Sequence, residues 1–390
     1  MSSTALSPDH PVSSGEIQAI DIGRVEEIER KHALLVEYLR LNNFDALLIQ
    51  HPANYAWLTA GGTNLREAGG EPIAAILVTA EARVVLCNNV DSGQIFDLDL
   101  MGLGFLLKER PWTEDRLVLL NDVCRGRRTA CDIEFPETIN VSKNLQPFRM
   151  HLAEEELKRL RELGMEVSHS LEATGRNFFP GASEAEIAGH LAHRLMKNKI
   201  QPVQIQVMAD GQGWRYRHWG YGEDRVERHC VISVIGRRHG LHVGASRTVC
   251  MGAPSTELER VHEIATLVQS TGIYFSRPGW EFDETWRRVA RIYEKFGVPD
   301  EWRSAEQAQL MGYQSNERNL VPGFGLKLER GHIVHWHPSV RSSKVGDSFL
   351  ITETGIENLT PVENWPVISV SVKGSKVDRP GILIRKDSTQ

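Results

Sequence analysis

The sequence predicts two domains of different class, an α/β domain over residues 21–152 and an α+β domain over residues 153–390, after a flexible tail over residues 1–20. Three observations predict this. At 390 residues the chain is long enough for two or three domains of about 150 residues each. Its first half alternates short apolar runs with amphipathic stretches, the pattern of strands and helices packed in layers. Its second half repeats the order helix, Pro-Gly, helix, strands, as duplication of a helix-plus-strand unit produces.

The elements follow in order. Residues 1 to 20 are rich in Ser and Pro and lack periodicity. From Arg24 to Leu41 the apolar positions Val25, Ile28, Ala33, Leu35 and Leu39 predict an amphipathic helix. Apolar runs at Ala46–Ile49, Ile73–Val78, Arg83–Leu86 and Thr129–Ile133 predict strands. Leu157, Leu160, Leu163, Val167 and Leu171 then mark a helix, and Ser183 with Glu186 forms a capping box ahead of the next. Thr256 with Glu259 predicts a second box, and Trp286, Val289, Tyr293 and Phe296 line a helix ending before Gly297. Segments 229–236, 242–250, 332–337 and 348–353 are β-rich and predict an antiparallel sheet covered by helices.

Composition narrows the function. The 41% apolar and 25% charged residues are the proportions of a packed chain. With 45 Lys and Arg against 51 Asp and Glu, the net charge of −6 excludes a generally basic, nucleic-acid-binding surface. No stretch approaches the roughly 18 apolar residues of a membrane span, so no membrane partner is expected. The opening residues lack a charged n-region and an apolar h-region, which predicts a cytoplasmic protein. Five cysteines (Cys87, Cys124, Cys131, Cys230, Cys250) include no close pair, so neither a disulfide framework nor a CxxC knuckle is expected.

Five segments carry a resemblance. They are PGASEAEIA (180–188), RPGWEFDETW (277–286), CVISVIGRRHGLHVGASRTV (230–249), GHIVHWHP (331–338) and VGDSFLITETGIENLTP (345–361). In order and spacing they resemble the pita-bread superfamily of methionine aminopeptidase, aminopeptidase P, prolidase and creatinase. FDALLIQHPANYAWLTAGG, near the start, resembles the smaller domain of creatinase and prolidase. The resemblance covers residues 24–372 and implies an α/β N-terminal domain, a pita-bread C-terminal domain whose curved sheet encloses a pocket, and a homodimer.

The peptidases of this superfamily hold two divalent metals with two Asp, one His and two Glu, which activate a bridging water. Matched motif by motif, the Asp positions fall on Ser233 and Gly244, and the His position falls near Tyr313. The Glu positions fall on His337 and Gly346, with Asp347 kept beside the latter. None of the five is a carboxylate, so the resemblance implies loss of the dinuclear centre and no cofactor.

Creatinase has the same fold and works without metal, through a pocket histidine, and His218 in VMADGQGWRYRHW falls on that position. Imidazole titrates near neutrality and can take and return a proton in one cycle. His218 and His337 are therefore the candidate catalytic residues. His242, His335, Arg217, Arg247, Trp219 and Tyr313 are the candidate substrate-binding residues, a set suited to an anionic ligand. His335 and His337 are two apart on a strand and share a face, as do His242 and Gly244.

Three readings stay open. The first is a metal-independent hydrolase of a C–N bond in a small, anionic or dipeptide-like substrate. The second is an inactive module that binds a peptide or protein. The third is a metallohydrolase with a rebuilt site, a single Zn or Fe on His242, His335 and His337.

Overall fold

The computed structural model describes residues 3–5, 18–67, 69–211, 214–215, 217–218, 220–323 and 325–386. Its contacts divide the chain into two units, Met1–Glu156 and Leu157–Gln390.

In the first unit β1 (Ser3–Ala5) pairs antiparallel with β2 (Gln18–Ile20), a backbone pairing that no sequence periodicity announces. Helix α1 (Ile22–Leu41) is capped by the Asp21 side chain, which accepts from Arg24 N, and buries Ile28, Leu35 and Leu39. Lys31 shares that face. Its buried ammonium donates to Glu27 (2.5 Å), Glu156 (2.8 Å) and the Trp57 carbonyl (2.7 Å), which offsets its desolvation.

Around α2 (Pro52–Leu58), α3 (Arg116–Cys124) and α4 (Ser142–Met150) runs one mixed sheet. Its strands are β3 (Ala46–Ile49), β4 (Ala74–Val78), β5 (Arg83–Asn88), β6 (Leu106–Arg110), β7 (Thr129–Cys131) and β8 (Ile139–Asn140), in the order β6-β5-β4-β3-β7-β8. Leu48, Leu77 and Leu86 of the sheet pack with Leu119, Leu120 and Val123 of α3.

The second unit carries α5 (Glu154–Asn177), α6 (Glu184–Lys197), α7 (Thr256–Phe275) and α8 (Phe282–Lys295). The capping box on α6 forms as expected, Ser183 with Glu186. The second does not. Thr256 is already helical, and the N-cap is Ser255, which keeps an extended backbone and accepts from Leu258 N at 3.2 Å.

Two sheets stand at the centre. Strands β9 (Gln201–Ala209), β10 (His229–Arg238), β11 (Leu241–Met251) and β21 (Ile382–Arg385) form one, in the order β21-β11-β10-β9. Strands β12 (Ala308–Met311), β13 (Arg318–Asn319), β14 (Ile333–Trp336), β17 (Asp347–Ile351) and β18 (Ile356–Asn358) form the other, in the order β13-β12-β14-β17-β18. Two hairpins flank them, β15 (Ser339–Val340) with β16 (Ser343–Lys344) and β19 (Val367–Val372) with β20 (Ser375–Pro380). The sheets meet at a bridge between Ser246 and Gly346, where Ser246 N donates to Gly346 O at 2.8 Å.

A buried ionic node locks this junction. Arg247 on β11 donates to Glu172 on α5 (3.1 Å), Asp347 on β17 (2.9 Å) and Ser168 (2.9 Å). The other oxygen of Asp347 accepts from Arg379 on β20, while the oxygen that Arg247 uses also accepts from the Thr360 hydroxyl at 2.9 Å. Removing the shared carboxylate strips Arg379 of its ion-pair partner and leaves Arg247 with Glu172 alone. Asp347→Ala is therefore expected to destabilise the protein by about 3–5 kcal/mol in urea titrations, whereas exposed Glu353→Ala changes stability by under about 1 kcal/mol.

His262 on α7 is buried between the Pro380 carbonyl and the Ser343 hydroxyl, each at 3.3 Å, and burial lowers its pKa to about 4. Its unfolded form binds a proton below about pH 6.5, so the stability it contributes is lost as pH falls from there toward 4. Between pH 7 and pH 5 the wild-type protein is expected to lose about 2 kcal/mol more than His262→Asn, read from urea midpoints.

Candidate active site

The two central sheets enclose a cavity of about 240 Å³. Strand alternation decides what faces it. Ser233 of β10 pairs with Ser246 of β11, so both point to one side, and Ser246 Oγ donates to Ser233 Oγ at 2.8 Å. From the second sheet come Gln309 and His335, from the residue after β14 comes His337, and from β16 comes Lys344.

The imidazoles of His335 and His337 stack with centroids 4.9 Å apart and planes 22° from parallel. His335 Nδ1 lies 3.2 Å from Ser348 Oγ, which donates to Gly244 O. Burial lowers His335 to about 4 and holds His337 well below the ordinary range, with Lys344 adding to both shifts. Both rings are neutral at physiological pH. Nε2 of His337 is buried and has no hydrogen-bond partner among the described residues.

At the cavity mouth, exposed His218 places Nε2 at 2.9 Å from Glu306, and both side chains line the cavity. Lys344 is half-buried inside it, donates to Gln206 at 2.6 Å, and burial lowers its pKa to about 8.

Of the expected site residues, His218, His335 and His337 come together here. Four others do not line the cavity. His242 sits on the expected strand face, but its Nδ1 lies 3.1 Å from the Gly312 carbonyl and the ring is buried outside the lining. Tyr313, in the loop after β12, is buried and also absent from the lining. Arg247 is spent in the ionic node. Arg217 forms an ion pair with Glu301 and donates to Ser339 at 2.8 Å, so neither arginine is available to an anion in the cavity. Trp219 lies outside the described residues.

Glu306 and Lys344 also line the cavity, and neither is among the residues that the sequence predicts there. Lys344 was accessible to the strand argument, since it stands two residues before Gly346 and shares its side of the chain. Nothing local marks Glu306, because its role depends on meeting His218 from 88 positions earlier in the chain.

The residues present do not fit the dinuclear metal centre of the superfamily's peptidases. A Cβ on Gly244 would stand 2.8 Å from the His335 ring, and one on Gly346 would stand 2.7 Å from Ser246 Oγ. Neighbours therefore fill the space that side chains there would need. With His242 turned away, no group of three His, Cys, Asp or Glu among the described residues is placed to hold a metal ion, including the trio of His242, His335 and His337.

The architecture is that of a pita-bread hydrolase of the class acting on C–N bonds, with an α/β N-terminal unit. A model of metallopeptidase family M24 matches residues 158–361, and the chain belongs to that family. The Xaa-Pro dipeptidase of Pyrococcus horikoshii is 20% identical over 84% of this chain and 96% of its own. An uncharacterized peptidase of Staphylococcus epidermidis is 21% identical over 83% and 99%. Among solved structures, the prolidase from Pyrococcus horikoshii OT3 has a TM-score of 0.74 at 17% identity, covering 86% of this chain and 99% of that one. The N-terminal domain of the FACT complex subunit SPT16 from Cicer arietinum reaches 0.66 at 13%, covering 88% and 98%. These structural likenesses establish the fold.

The packing at Gly244 makes a direct prediction. Gly244→Asp is expected to lower stability by about 1–3 kcal/mol through overpacking against His335. His335→Ala in the same chain is expected to recover part of the loss, and a double-mutant cycle of melting curves measures that coupling.

Proposed function

We propose that this protein hydrolyses a C–N bond in a small, dipeptide-like substrate without the pair of metal ions used by its peptidase relatives. The observation that carries the reading is the His218–Glu306 pair, 2.9 Å apart at the mouth of a polar cavity that also holds the unpartnered His337 nitrogen. Relatives named as dipeptidases support the substrate class, and the donor set at the metal positions supports the metal-free mechanism.

In this reading Glu306 fixes the His218 ring, as a carboxylate fixes a catalytic imidazole. His218 takes a proton from the attacking water and returns it to the leaving amine nitrogen, so one group serves both halves of the cycle. His337, neutral and buried, offers its free Nε2 to the scissile amide. Stacking on His335 keeps it in place. The small cavity favours a short substrate over a polypeptide.

The test is turnover on a panel of Xaa-Pro dipeptides, N-acyl amino acids and ureido acids. Activity is expected to persist after chelation, with substoichiometric metal by elemental analysis. His218→Ala and Glu306→Gln are each expected to lower kcat by about 10²–10⁴-fold without changing the melting temperature. Activity that requires two metal ions per chain, or that survives intact in His218→Ala, overturns the mechanism. A clean absence of turnover across the panel favours the binding-module reading instead.

A further inference from the structure

A second concavity, of about 640 Å³, lies outside the hydrolytic cavity, between α7, α8 and the β19–β20 hairpin. Its charge is one-sided. Arg287, Arg288, Arg291, Lys295 and Lys373 line it against a single carboxylate, Glu284, in a chain whose net charge is −6. Glu284 is engaged with Arg287 (3.7 Å) and Arg288 (3.9 Å), and the Arg288 guanidinium is stacked over Phe275 and Trp280. Exposed Arg291, Lys295 and Lys373 have no carboxylate at ion-pair distance among the described residues.

Two features make this more than a solvated helix face. Arg287, Arg291 and Lys295 follow one another at every fourth residue of α8, so they form a row of like charges, an arrangement that destabilises a helix. Lys373 lies in the two-residue turn between β19 and β20, with φ of +53°. That left-handed conformation suits Asn or Gly and is unfavourable for a lysine, yet it is this residue that adds a cation to the groove. Both features run against local stability and both concentrate positive charge in one place.

We propose that this groove docks an extended acidic peptide, its carboxylates at alternate residues lying along Arg287, Arg291 and Lys295 and its apolar side chains against Leu267 and Ile292. The spacing matches. Four residues of helix advance about 6 Å, and two residues of an extended strand advance about 6.7 Å, so consecutive carboxylates on one side of the peptide meet consecutive cations of the row. Half-buried Leu267 and Ile292 supply apolar floor, and guanidinium groups favour carboxylates through paired hydrogen bonds. The site is separate from the His218 cavity, so the inference stands or falls independently of the hydrolytic reading.

The experiment is fluorescence anisotropy on the full chain, using a fluorescein-labelled octapeptide with glutamate at alternate positions and leucine or serine between. Its glutamine counterpart and a labelled oligo-dT of similar length serve as comparators. The glutamate peptide is expected to bind and to weaken as salt rises from about 50 to 200 mM, because the contacts are exposed ion pairs. The glutamine peptide is expected to bind at least about tenfold more weakly. The exposed double variant Arg287→Glu/Arg291→Glu is expected to lose the glutamate peptide by at least about tenfold. Lys373→Asn is expected to weaken binding while holding or raising the melting temperature, since it relieves the turn; a purely structural Lys373 would leave binding unchanged.

No salt-sensitive binding below about 1 mM, equal affinity for both peptides, or tighter binding of oligo-dT each overturns the proposal. So does a change of oligomeric state in the double variant, which would assign the row to contact between two copies of the chain.

Discussion

The architecture of the second unit hangs on one carboxylate. Asp347 sits between two buried guanidiniums, Arg247 of β11 and Arg379 of β20, and through Arg247 it is coupled to Glu172 on α5. Four elements distant in sequence thus share a single ionic centre. Such a centre costs a large desolvation penalty, and only near-complete hydrogen bonding offsets it. Thr360, Ser168 and the backbone amides of Glu363 and Asn364 complete that bonding. Next to it, in sequence and in space, the Ser246–Gly346 bridge sets the two sheets edge to edge. The cavity is the space that this junction leaves.

The cavity lining is fixed by close packing at two glycines. At Gly244 the room for a side chain is taken by His335, and at Gly346 it is taken by Ser246. Glycine at 244 and imidazole at 335 are therefore complementary, and a side chain added at 244 would clash with the ring. Two buried imidazoles, a lysine whose pKa burial lowers to about 8, and a hydroxyl pair make the lining a hydrogen-bonding environment.

Much of the fold was legible in the residues. Periodicity located α1, the first strands and the Ser183 capping box, because those signals are local. The segments resembling the pita-bread superfamily pointed to the fold to which the family match assigns this chain. The site was legible in part. Strand alternation placed His335 and His337 on one face, and the motif around His218 placed it at the same cavity. The arginines failed because type and position do not reveal partners: Arg217 and Arg247 carry the right charge, but Glu301, Glu172 and Asp347 already use it. His242 failed for a similar reason, since the Gly312 carbonyl holds its ring.

What the sequence by itself determined was the order of helices and strands and the modest acidity of the chain. These depend on neighbours within a few residues, or on residue identity alone. Tertiary structure decided which charges are free to act. The meeting of His218 with Glu306, the burial that lowers the proton affinity of Lys344 and of the stacked histidines, and the gathering of α8 cations with Lys373 all join residues far apart in the chain. Desolvation and pairing are properties of the packed environment, and no linear pattern encodes them.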